Sequence, residues 1–69
     1  MTARERIEES LTNAYEGGYQ NDVMQHPDEV AEDMAEHDSD VERMIDEGVI
    51  DFAELSRIIA EWQTKRGKL

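Results

Sequence analysis

Apolar residues return every three or four positions along most of this chain, and nowhere do they alternate as a strand would. The first run is Ala3, Ile7, Leu11, Ala14 and Tyr15, preceded by "TARE" at Thr2 to Glu5. That tetrapeptide has the form of a capping box, in which a Thr hydroxyl and a Glu carboxylate each satisfy an amide left over at the helix start. The pattern predicts a helix over about 3–16, stopped by Gly17 and Gly18. Residues 17 to 26 read as a connector with Tyr19, Val23 and Met24 available to fold back onto the core, and with room for a short helix.

"HPDEV" starts the next element, about 27–37. Pro27 suits the first helical position, and Asp28 and Glu29 complement the positive end of the helix dipole. Val30, Ala31, Met34 and Ala35 form its inner face. "SDVE" at Ser39 to Glu42 has capping-box form, so a break near Asp38 and a new helix over about 40–47 are expected, carrying Val41, Met44 and Ile45. The competing arrangement is one kinked helix, because Val30, Met34, His37, Val41 and Met44 keep their spacing across the break. Gly48 is placed to end this element and Asp51 to start the last, about 52–66, with Ile50 and Leu55 in staple positions. Phe52, Leu55, Ile58, Ile59 and Trp62 then share an arc of roughly 120° as its core stripe. Lys65, Arg66 and Lys68 sit at its negative end, and Gly67 lets it stop. The expected fold is all-α: a compact three- or four-helix small domain spanning residues 1–69.

With 69 residues, 38% of them hydrophobic, the chain can build one modest core but not a core plus an enclosed active site. It contains no cysteine, so tight packing, oligomerisation or a partner must supply stability. No apolar run reaches the roughly 18 residues of a membrane span, and "MTARERIEES" lacks the apolar block of a secretion signal. A soluble, cytoplasmic protein is expected.

One stretch resembles a chemical motif. "DEGVIDFAEL", Asp46 to Leu55, looks like the back half of an EF-hand loop, with Gly48, Ile50, Asp51 and Glu54 at the turn, hydrophobic, ninth and twelfth positions. The front half fails, since Arg43 and Ile45 fall where the leading carboxylates belong, and a frame starting at Asp38 puts Arg43 at the glycine position and Val49 at the last ligand. We therefore expect a helix-to-helix turn and no metal site, with at most loose divalent binding to exposed acids. His26 and His37 are too few for zinc without cysteine partners; His26 reads as a connector residue and His37 as a partly buried structural histidine. Ser10, Ser39 and Ser56 have no neighbouring base, and no cofactor motif is present. An enzyme is not expected.

Charge changes the picture most. Eighteen acids against seven Lys and Arg give a formal net charge of −11, and twelve of the acids lie between Asp28 and Glu54 with one cation, Arg43. On the second helix the apolar residues span roughly 0 to 140° while Asp28, Glu29, Glu32, Asp33 and Glu36 span roughly 160 to 300°. These five charges occupy roughly 12 Å of axis, one per about 2.4 Å, against one phosphate per about 1.7 Å of duplex DNA. No Lys or Arg at four-residue spacing neutralises them.

In size, charge, helical content and carboxylate density the chain resembles the small acidic inhibitors of bacteriophages and mobile elements, among them DNA mimics that block restriction enzymes, CRISPR effectors, uracil-DNA glycosylase or nucleoid proteins. The resemblance is physical and covers mainly residues 28–54. It implies inhibition of a basic, nucleic-acid-binding protein; the net charge itself repels nucleic acid and anionic membranes, so direct contact with either is not expected. The contacts expected are Asp28, Glu29, Glu32, Asp33, Glu36, Asp40 and Glu47, standing in for phosphates. Alternatively, the chain is a helical interaction or oligomerisation module, a homodimer included, that works through an apolar face around Trp62, with Ile58 and Phe52. The acids would then serve only solubility or a salty cytoplasm, although such an adaptation should spread evenly rather than leave Arg4, Arg6, Lys65, Arg66 and Lys68 at the two ends.

Overall fold

The computed structural model describes residues 1–67 and contains five helices: α1 (Ala3–Glu16), α2 (Gln20–Val23), α3 (Pro27–His37), α4 (Ser39–Asp46) and α5 (Phe52–Gly67). The fold is all-α, with one helix more than the upper expectation because the connector winds a single turn, α2. No strand forms among the described residues, and no helix among them is long and apolar enough to cross a membrane.

Local chemistry sets the helix ends. Thr2 Oγ1 accepts from the Glu5 amide and Glu5 Oε1 from the Thr2 amide, both at 3.1 Å, closing the capping box of α1. At the other end Gly18 takes φ 102°, which only glycine adopts at little cost, and the chain turns through amide bonds from Gly18 to Tyr15 and from Tyr19 to Ala14. The turn after α4 repeats this arrangement at Gly48, φ 74°, with Gly48 bonded to Ile45 and Val49 to Met44. Asp51 Oδ1 then accepts from the Glu54 amide at 2.8 Å and caps α5. "DEGVIDFAEL" is thus a helix–turn–helix corner.

The chain between Val30 and Met44 forms two helices, not one. Asp38 leaves the helical region, at φ −102° and ψ 106°, and its Oδ1 accepts from the amides of Asp40 and Val41. It ends α3 through its own amide, bonded to Met34, and starts α4 with its side chain. The cap is therefore Asp38 rather than Ser39, and α4 covers Ser39–Asp46 instead of about 40–47. A short carboxylate that can bond the next turn's amides competes with the helical backbone, which explains the break at this position.

Ile7, Leu11, Val23, Val30, Ala31, Val41, Ile50, Leu55, Ile58, Ile59 and Trp62 make up the core. α5 lies at its centre, packed on α3 and on α1, while α4 packs on α3 and α2 on α1. Trp62 is only 5% exposed, donates from Nε1 to Thr12 Oγ1 at 3.2 Å and meets the Tyr15 ring edge-on at 6.0 Å. Gln63 ties the connector down by donating to the carbonyls of Val23 and Gln25, at 3.0 and 2.6 Å.

Three expectations about burial change. Phe52 is 40% exposed, since it opens α5 and Ile50 from the preceding turn fills the end of the stripe. The His37 side chain is 77% exposed, because Val41 belongs to a separate helix and the stripe that seemed to pass through His37 ends with α3. In the connector only Val23 is buried; Tyr19 is 62% exposed and Met24 is exposed as well. Trp62 and Ile58 are core residues, which leaves Phe52 as the exposed member of the apolar face proposed around Trp62. Lys68 lies outside the described residues.

A carboxylate face on the third helix as candidate functional site

α3 is two-sided. Pro27 presets its first turn, and His26 serves as its cap rather than as a plain connector, Nδ1 accepting from the Asp28 amide at 3.3 Å. Val30 and Ala31 are buried with Met34 and Ala35 beside them, whereas Asp28, Glu29, Glu32, Asp33 and Glu36 are all exposed. None of these five has an Arg or Lys within 4.0 Å among the described residues; Glu36 has only the His37 ring, at 3.7 Å.

Arg4, Arg6 and Arg66 are engaged elsewhere. Arg4 pairs with Glu61 of α5 and with Glu8, the latter at 3.5 Å. Arg6 holds Glu9 at 3.3 Å and reaches Asp40, its Nε 3.0 Å from Oδ2. The Arg66 guanidinium lies 5.0 Å from the Tyr15 ring centre and 5.6 Å from that of Trp62. These pairings move the titrations of their members. The Arg6 hydrogen bond and charge hold the Asp40 carboxyl below its usual range, and Arg4 does the same for Glu61. Glu5 is lowered by the amide hydrogen bond from Thr2. Arg4 and Arg6 are raised by the same partners, Glu61 and Asp40.

The seven expected contacts therefore fall into three groups. Asp28, Glu29, Glu32, Asp33 and Glu36 share one helix with no cationic neighbour. Asp40 is tied into the fold by Arg6 and does not belong with them. Glu47 sits at the C-terminal end of α4, on a surface depression with Ser39, Glu42, Arg43 and Asp46, so it belongs to a second acidic face that a cation partly offsets.

Two features escaped the sequence reading. Asp22 of α2 comes to the side of α3 and lines a depression with Gln25, Glu29 and Asp33, extending the acidic surface beyond residues 28–54. The single-turn helix that carries it is too short to leave a periodic signal. Asp33, Glu36 and His37 bring one ligand atom each within 4.8 Å of one another, all exposed. His37 gains this position by losing the buried role expected of it. Two carboxylates and an imidazole could together hold a divalent ion at the surface.

Chemically, the α3 face offers acceptors and negative charge. It can bind guanidinium and ammonium groups through charge-assisted hydrogen bonds. Comparisons with protein-family models, with curated proteins and with solved structures return no match, so the chain's own residues carry the functional reading.

Proposed function

We propose that the chain binds a basic, nucleic-acid-binding protein through the outer face of α3 and inhibits it by presenting carboxylates where that protein expects phosphates. One observation carries the proposal: five exposed carboxylates along eleven helical residues with no Arg or Lys beside them among the described residues, whereas α1 pairs Glu8 and Glu9 with its own arginines. An unpaired row of like charges destabilises the free domain by self-repulsion. Meeting a Lys- and Arg-lined cleft removes that repulsion, because each carboxylate then gains a counter-charge and a hydrogen bond. Asp28, Glu29, Glu32, Asp33 and Glu36 form the contact surface, joined by Asp22 at one edge, with Glu47 as an outlying contact. Inhibition needs only occupancy of the cleft, and the protein works in the compartment where its target meets nucleic acid, the cytoplasm.

The test is capture. Immobilised protein is exposed to host lysate at low salt, and the bound fraction is challenged with duplex DNA. The expected result is a dominant nucleic-acid-binding protein that DNA displaces and that leaves steeply between about 50 and 200 mM salt. Charge reversal at Glu32 and Glu36 should abolish its capture while the circular-dichroism spectrum stays helical. Unchanged capture by the folded double variant would remove this face from consideration. Elution of scattered basic proteins indifferent to DNA would contradict the mimicry.

A further inference from the structure

Between α1, α2 and α3 the acidic surface opens onto an apolar floor. Leu11 and Ala14 of α1, Val23 of α2, and Val30 and Met34 of α3 line an open depression of about 230 Å³. Its origin is in the packing: α1 and α3 each lay one flank on α5, which leaves a trough between them. Small side chains on the α1 wall, Ser10 and Ala14, keep it open. Exposed Tyr19 lines it too, and so do the exposed carboxylates of Asp22 and Asp33, which also belong to the acidic surface.

We infer that this groove receives one bulky apolar side chain of the basic partner, with neighbouring Lys or Arg of the same segment reaching Asp22 and Asp33. The inference rests on the partner class proposed above and adds how that partner is selected. Size sets the occupant, because pockets that enclose a small-molecule ligand run from about 300 Å³ upward, and this one is smaller and open. Charge sets its surroundings. A second copy of this chain, at −11, would bring like charge to an acidic mouth, whereas a cationic segment brings the complement. The two parts of the surface then have different effects: carboxylates on α3 speed encounter with any basic cleft, and the groove holds on to those that carry an anchor.

The test uses two short lysine-rich peptides identical except for one central residue, tryptophan in the first and alanine in the second, titrated into the intact protein by calorimetry and by amide-resolved NMR. The tryptophan peptide is expected to bind at least about tenfold more tightly, with shifts at Leu11, Ala14, Val23 and Met34 that its twin does not cause. Filling the groove with Ala14→Leu should erase the difference and leave the weak, salt-sensitive binding of the alanine peptide; the comparison on the unaltered protein stands even where that variant does not fold. Equal affinities with shifts confined to the exposed side of α3 would overturn the groove and leave the acidic face intact. Binding of neither peptide would overturn both.

Discussion

α1 and α3 are both rich in carboxylates, yet the two helices manage them in opposite ways. Glu8 and Glu9 lie four and three residues beyond Arg4 and Arg6, within reach of those guanidinium groups, and the same two arginines bridge onward to Glu61 and Asp40. The charges of α1 from Arg4 to Glu9 are therefore paired or used in its cap, and its arginines tie it to α5 and α4. α3 has the same length class and amphipathicity, but its five outward acids meet no arginine or lysine among the described residues. A net charge of −11 says little by itself; what separates a solvated helix from a candidate interface is where the cations sit.

Breaking what the two helices share should have the largest effect. Both pack on α5, and Ile59 is fully buried within it. Ile59→Ala is expected to cost about 2–5 kcal/mol, a large part of the stability of so small a domain, read as a lowered urea midpoint. Separating α3 from α4 comes next. Asp38→Ala removes the acceptor for the amides of Asp40 and Val41, with an expected loss of about 1 kcal/mol in the same measurement and frayed amides at the start of α4 by hydrogen exchange.

A smaller effect should sharpen the comparison on the α1 side. The Asp40 carboxyl titrates below its usual range because Arg6 stabilises the ionised form in the folded chain. That contribution is fully present above about pH 4, where unfolded Asp is ionised, and fades as pH falls through the lowered folded value. Arg6→Gln should accordingly melt below the parent at neutral pH, with the gap closing on acidification in thermal scans. A gap that stays constant down to acid pH would mean that the Arg6–Asp40 pair contributes nothing. Both partners are well exposed, so the shift in melting temperature should be modest.

Much of the fold was legible in the sequence because much of it is local. The capping box at Thr2 and Glu5, Pro27 at a helix start, the glycine turn at 48 and the cap at Asp51 each depend on residues a few positions apart. The stripe of Leu55, Ile58, Ile59 and Trp62 was legible for the same reason, since one helical period fixes it. What failed depends on distant neighbours. Phe52 and His37 fit an apolar spacing but stay exposed, Phe52 in part and His37 for the most part, and spacing cannot show where the covering element ends. Ser39 and Asp38 both have capping chemistry, and the carboxylate one residue earlier took the role. The pairing of Asp40 spans 34 residues to Arg6, and Asp22 reaches the acidic surface through the path of the connector. The acidic face itself was legible as a helical arc; its separation from Asp40 was not.

The central claim is that the outer carboxylates of α3 serve a partner and not the fold. Thermal unfolding of the Glu32→Gln, Glu36→Gln double variant at low salt tests it most directly. Both residues lie beyond the first turn, so neither complements the positive end of the helix dipole, and neither pairs with an arginine or lysine among the described residues. Removing two charges from a self-repelling row should leave the melting temperature equal to or above the parent's, with any difference shrinking as salt is added. A clear fall in melting temperature would contradict the account, because it would mean that these carboxylates help hold the helix in place.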